Sequence, residues 1–140
     1  MTVLDICTRD VQTITRMQSL LEAALEMAAH HVGTLVVVDE ARRPEGILTD
    51  RDIVTRCVAR EFNPSDVSVA EVMTEPVKSI AADASVQEAL AIMADGEIRR
   101  IVVRDLDFRV VGLLSLDDVL QELVGETAEI GRLLKTQVHV

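Results

Sequence analysis

Apolar residues recur along this chain in two alternating rhythms. Short runs dense in branched residues, Thr34 to Val38 and Ile101 to Val103, are too apolar for a solvated edge and too short for a buried helix, so they read as interior strands. Helical spacing precedes each run. Leu20, Ala23, Ala24, Met27 and Ala28, and later Val86, Ala89, Leu90, Met93 and Ala94, each form one apolar face whose small residues suit close packing. Both helices open on Ser-x-x-Glu, at Ser19 to Glu22 and at Ser85 to Glu88. This is the spacing of a capping box, in which the serine accepts from a first-turn amide and the glutamate reaches back to the cap amide. Short extended segments, Val11 to Ile14 and Val77 to Ile80, lie ahead of the helices. After the interior strands, Asp39 to Glu45 and Asp105 to Val110 carry turn-forming or charged residues, and Gly46 to Leu48 and Gly112 to Leu114 supply second strands. A second helix follows each, starting at Thr49 or Ser115 and closing near Phe62 or Gly125. Its apolar positions are Ile53, Val54 and Val58 in one case and Val119, Leu120 and Leu123 in the other.

These signals are one set written twice. Asp52 falls on Asp118, an offset of 66 residues (118 − 52), and the same offset pairs Thr8 with Thr74, Ile14 with Ile80, Ser19 with Ser85 and Gly46 with Gly112. Two copies are too few for a solenoid, so two units facing each other over a common core are expected. The expected fold is α/β (α+β), with two pseudo-symmetric βαββα repeats packed sheet to sheet as one globular module. Repeat 1 spans 1–62, a linker 63–70, repeat 2 71–125 and a C-terminal helical tail 126–140. The linker holds the loop-forming cluster Asn63-Pro-Ser-Asp66, and the tail places Ile130, Leu133 and Leu134 at helical spacing.

Composition narrows the partners. The 140 residues include 49% hydrophobic ones, enough for a core, and 14 basic against 24 acidic residues leave a net charge of −10. A phosphate backbone is repelled by that balance, so nucleic acid is not expected as a partner. A local basic pocket for one small anion is compatible with it. Cys7 and Cys57 are too few for a disulfide framework and too far apart for a metal motif, and read as buried thiols. The first residues lack a basic segment followed by a long apolar run, and no span-length apolar stretch exists, so a cytoplasmic location without membrane association is expected.

The repeated element with chemical content is Gly-x-x-Thr/Ser-x-x-Asp, present as Gly46-Ile-Leu-Thr49-Asp-Arg-Asp52 and as Gly112-Leu-Leu-Ser115-Leu-Asp-Asp118. With the threonine-rich start, the capped helix and the apolar strand ending in aspartate, both halves resemble CBS domains. Together they resemble a tandem CBS-domain pair, or Bateman module, of the kind found as stand-alone bacterial and archaeal proteins. The resemblance runs from about Asp5 to Leu123. It implies a regulatory module that binds an adenosine-containing ligand, AMP, ADP or ATP, or else S-adenosylmethionine or NAD, in clefts between the repeats. It implies further a flat homodimer that relays the ligand's presence to an effector protein. Asp52 and Asp118 match the aspartate that holds the ribose diol, and two carboxylate oxygens suit two adjacent hydroxyl donors. Thr49 and Ser115 add a hydroxyl at a helix start, where free amides also favour phosphate. The regions around Ile14, Thr34, Ile80 and Arg100 match those that hold adenine. Arg99-Arg100 resembles a basic pair that meets phosphates, and Arg51 lies inside the first motif. Because Gly33-Thr34 and Asp117 stand at the equivalent positions, one cleft is expected to be more basic than the other. The family's proline after the leading strand aliphatic is Val36 in one copy and Val102 in the other.

A plainer account also fits these residues. Thr49 to Asp52 and Ser115 to Asp118 have the spacing of helix caps, and a ligand-free dimeric scaffold needs nothing more from them. His30 and His31 are neighbours at a helix end, diverge, and read as helix C-terminal cations rather than metal ligands, while His139 has no visible partners. Arg104 reads as surface. No nucleophile elbow, phosphate-binding loop, dinucleotide glycine fingerprint or zinc spacing occurs, so neither catalysis nor a catalytic cofactor is expected.

Overall fold

The computed structural model describes residues 1–124 with Arg132, Lys135 and Thr136. Gly125 as the end of the second repeat, the tail helix with Ile130, Leu133 and Leu134, and His139 lie outside the described residues. In chain order the elements are α1 (Val3–Ile6), β1 (Thr13–Ile14), α2 (Leu20–His30), β2 (Thr34–Val38), β3 (Pro44–Thr49) and α3 (Asp50–Ile53). A π-helical segment, Val54–Val58, and two short 3-10 turns, Pro64–Asp66 and Val69–Glu71, lead to β4 (Ser79–Ala81), α4 (Val86–Gly96), β5 (Arg100–Arg104), β6 (Val110–Ser115) and α5 (Leu116–Val124).

Two compact units result, each with a three-stranded sheet. In the first repeat's sheet β2 is central, parallel to β1 (Thr13 opposite Val36) and antiparallel to β3 (Thr34 opposite Thr49). Both faces of β2 are buried, which explains its unbroken run of branched residues. The second sheet has the order β4-β5-β6, with Ser79 opposite Val102 at the same offset. Helix α2 begins where Ser19 Oγ accepts from Glu22 N at 3.1 Å and ends at His31, whose φ of 55° places it in the left-handed region. Helix α4 repeats both features with Ser85, Glu88 and Glu97, at a φ of 52°. These starts are single caps rather than the expected reciprocal boxes, and in α2 the Glu22 carboxylate accepts instead from Gln18 Nε2 at 2.9 Å. Leu20, Leu35 and Leu48 are fully buried in one core, and Ile101, Val103 and Leu114 in the other.

The units do not follow chain order. Residues Met1–Asp10 belong with Lys78–Asp107 and 111–124, whereas Val11–Val77 forms the other unit together with Phe108–Val110. Each repeat is thus completed by the segment that leads into its sibling. Val3 N donates to Ala84 O at 2.9 Å, and Thr8 and Leu113 exchange a pair of backbone hydrogen bonds at 3.0 and 2.9 Å. In the other unit Val69 N donates to Gln18 O at 2.8 Å, and Thr74 and Ile47 exchange bonds at 2.8 and 3.1 Å. All of these partners correspond at the 66-residue offset. Reciprocal capping boxes stand here, with Thr2 N donating to Asp5 Oδ2 and Ser68 N to Glu71 Oε2, both at 2.7 Å. Those bonds, from backbone first and side-chain hydroxyl second, hold the Asp5 and Glu71 carboxyls below their ordinary range. Val3 and Val69 are fully buried anchors.

The second helix of repeat 1 differs from expectation. The α-helix stops at Ile53 and continues as a wider π-turn, which aims Ile53 and Cys57 inward and leaves Val54 and Val58 exposed. Leu120 and Leu123 are likewise exposed, so Val119 alone of the three named residues is core. Of the thiols, Cys57 is fully buried; Cys7 is half-buried, and burial pushes it up from the ordinary thiol range.

Candidate functional site

The two motifs occupy matching ends of the two sheets. In the first unit Thr34 opens β2 opposite Thr49, the last residue of β3, and Asp50 N donates to Gly33 O at 2.9 Å. This bond ties the helix start to the strand start, so Gly33, Thr34, Thr49 and Asp52 share one polar corner. A side chain at position 33 would collide with the Asp50 carboxylate, 2.9 Å from where its Cβ would stand. In the second unit Leu116 N donates to Arg99 O at 2.8 Å and gathers Arg99, Arg100, Ser115 and Asp118 in the same way.

Both aspartates cap their helices. Asp52 Oδ2 accepts from Thr49 N at 2.9 Å while Asp52 N donates to Thr49 Oγ1 at 3.2 Å. Asp118 and Ser115 make the same exchange at 2.9 and 3.0 Å. One carboxylate oxygen of each is committed to the backbone. The other differs between units, since Asp52 Oδ1 lies 4.0 Å from Arg56 Nε whereas α5 contains no basic residue. Burial pushes the Asp118 carboxyl above its usual range; the Ser115 hydrogen bonds oppose that, neighbouring Asp117 adds to it, and Arg100 tempers it.

Two buried polar atoms at these corners have no hydrogen-bond partner among the described residues: Thr34 Oγ1 and Arg100 Nε. They correspond at the 66-residue offset. Arg99 instead is largely exposed and reaches Asp117 Oδ1 at 3.4 Å, which offsets part of the basic character expected there. Arg51 is exposed, on the first turn of α3. Ile14 and Ile80 stand elsewhere, buried in the cores of their units and facing Val37 and Val103 in register, three residues along from Thr34 and Arg100. Their side chains therefore do not reach the polar corners. Arg104, expected at the surface, is half-buried, with Nη1 donating to Asp105 O at 3.3 Å.

The CBS domain model matches residues 3–59 and 69–125, each with one of these motifs near its C-terminal end. The chain belongs to the CBS-domain family. A protein of Methanopyrus kandleri is 34% identical over 117 residues, 84% of this chain and 60% of that protein, so the chain spans less than two-thirds of that relative. The CBS domain pair of protein MJ0100, crystallised with 5′-methylthioadenosine and S-adenosyl-L-methionine, is 28% identical with a TM-score of 0.77, covering 90% of this chain and 98% of that one. Hypoxic response protein I with two coordinated zinc ions is 30% identical with a TM-score of 0.76, covering 86% and 98%. Among the described residues of this CBS pair no three His, Cys, Asp or Glu side chains are grouped to hold a metal, and no helix is long and apolar enough to cross a membrane. What the sequence did not single out is the unpaired state of Thr34 Oγ1. A hydroxyl residue opening an otherwise aliphatic buried strand was its one signal.

Proposed function

We propose that this CBS pair is a regulatory, non-catalytic module of the cytoplasm that binds an adenosine-containing ligand, an adenine nucleotide such as AMP, ADP or ATP, at one or both polar corners. The observation that carries this reading is the pair of unpartnered buried atoms at equivalent positions. A buried donor or acceptor left unpaired costs about 1–3 kcal/mol, a cost that a ligand hydrogen bond removes. Asp52 or Asp118 would meet the ribose hydroxyls through the oxygen its cap leaves over, with Thr49 or Ser115 beside it. Arg100, and Arg99 and Arg51 from solvent, would meet phosphate. The MJ0100 pair's adenosyl ligands support the ligand class, and S-adenosylmethionine and NAD belong in the same test.

Ligand that prefers one conformation of the module shifts the population towards it, and a homodimer passes the shift to an effector protein. Repeats over 1–62 and 71–125 joined by 63–70, with 126–140 as a tail, remain the proposed division of the sequence. A ligand-free scaffold is the competing reading, favoured by the complete capping geometry of both aspartates. A thermal-shift panel of AMP, ADP, ATP, S-adenosylmethionine and NAD separates the two. A ligand at 100 times its dissociation constant stabilises by about 2.7 kcal/mol. Absence of any shift would leave the scaffold, and a shift that survives Asp52→Asn with Asp118→Asn would move the ligand away from the two aspartates.

A further inference from the structure

The two units differ where the second helix of each repeat meets the leading segment. In the first unit Leu20, Cys57 and Val72 are buried, and the chain that leaves the π-turn folds back beside them. Phe62 N donates to Cys57 O at 3.0 Å, Pro64–Asp66 packs on α2, and Leu20 N donates to Val67 O at 2.9 Å. In the second unit the residues at the same offset, Val86, Leu123 and Ile6, line a groove of about 450 Å³ together with Met1, the counterpart of Val67. Leu123 is 69% exposed where Cys57 is 0%, and Met1 is 71% exposed where Val67 packs on the core. The corresponding hollow of the first unit is lined instead by Arg60, Glu61, Phe62 and Asn63 of the returning segment. The groove's charge differs too. Glu122 stands in the place of Arg56, whose Nη1 donates to Val72 O at 2.8 Å, a bond that a carboxylate cannot repeat.

We infer that this groove holds the chain's own C-terminal segment, with Ile130, Leu133 and Leu134 covering the second unit as residues 62–67 cover the first. Three observations select this occupant. Helix α5 ends at Val124, one residue past Leu123 in the groove wall, so the 16 residues that follow (140 − 124) start at the site. Their first is Gly125, the residue type that lets a chain turn back from a helix end. At the repeat offset Ile130 and Leu133 fall on Pro64 and Val67, both in the segment that closes the first unit. From Ile130 on, the segment carries Arg132 and Lys135 and no acid, whereas α5 carries Asp117, Asp118 and Glu122 and no base. Opposite charges then meet at the rim while apolar side chains fill the groove.

The chain contains no tryptophan, so Leu133→Trp in the full-length protein is a local reporter. Its emission should lie to the blue of a solvated indole and resist acrylamide, equally at every protein concentration. Adding Leu123→Asp, which touches an exposed residue and leaves the cores intact, should move the emission to the red and raise quenching severalfold. Val58→Asp, exposed in the first unit, should change neither. In a second variant, Leu133→Asp with Leu134→Asp, amide exchange over 119–124 should quicken about tenfold, as expected for losing roughly one buried leucine, while 53–58 keeps its rate. An indole quenched like free tryptophan, or one shielded but indifferent to Leu123→Asp, would overturn the docking. So would exchange over 119–124 that the double variant leaves unchanged. Shielding that grows with protein concentration would give the groove to a second copy and overturn the intrachain contact.

Discussion

Thr34 and Arg100 hold one structural position, the first residue of β2 and of β5, and each buries a polar atom that nothing among the described residues pairs with. An isosteric swap separates a structural hydroxyl from one waiting for a ligand. Thr34→Val removes the unpaired oxygen and keeps the shape, so unfolding in denaturant should be unchanged or stabilised by about 1 kcal/mol. The nucleotide-dependent rise in Tm should shrink at the same time. A loss of stability would mean that the hydroxyl already has a partner, and the ligand argument at that corner would fail.

Arg100→Met should act on charge rather than on sugar. If the guanidinium meets phosphate, the variant should lose most of its preference for ATP or AMP over adenosine, while adenosine itself binds as before. Calorimetry with the two ligands reads this directly. Equal losses for both would place Arg100 in a structural role.

Much of this fold was legible in advance because the repeat is written in residue types that act locally. The branched runs of β2 and β5, the serine caps and the glycine-led strands each need only their near neighbours. The exchange of leading segments was not legible, because Val3 and Val69 read as apolar residues in need of a core without saying whose. The π-turn was missed for a related reason: Val54 and Val58 sit at helical spacing, and only the depth of Cys57 shows that the helix has been rewound. At the site, the positions of Asp52 and Asp118 followed from the motif. Their capping bonds were the plainer reading of the same spacing, whereas the unpaired atoms depend on side-chain directions that spacing leaves open.

Because each repeat is finished by its sibling's leading segment, damage at the start of the chain should appear in the second half. Val3→Ala empties a fully buried site and should cost about 2 kcal/mol. Amide exchange should accelerate over residues 78–124 before it does over 11–77, and Val69→Ala should reverse that order. Loss of protection in the repeat that carries the substitution in sequence would contradict the exchange.

Gly46 and Gly112 sit where the exchanged segments cross β3 and β6. A Cβ on Gly46 would stand 2.9 Å from Thr74 O, which is fixed by its bonds with Ile47. A Cβ on Gly112 would run into Cys7 Sγ, with Thr8 O at 3.2 Å. Gly112→Ala and Gly46→Ala should each cost about 1–3 kcal/mol. Removing the obstructing thiol with Cys7→Ala should return most of the loss at Gly112, a coupling that a double-mutant cycle measures. No such rescue should follow Met73→Ala at Gly46, where backbone stands in the way.

Asp118 gives the corner of the second unit a pH signature. Burial raises its carboxyl above the unfolded value of 3.8, so between that value and the raised one the folded chain holds more protons than the unfolded chain. Stability should accordingly fall as pH rises through this window. The capping geometry survives in Asp118→Asn, whose amide oxygen can still accept from Ser115 N, and the variant should lose this part of the slope while folding normally at neutral pH. Carboxyl titration followed by NMR should place Asp118 above the ordinary aspartate value and Asp5 and Glu71 below the ordinary values for their types, since cap bonds hold the latter two low. Ribose hydroxyls favour the ionised form, so a bound nucleotide should pull the Asp118 titration downward and flatten the slope. If saturating nucleotide leaves that titration where it was, the carboxylate is a cap and nothing more.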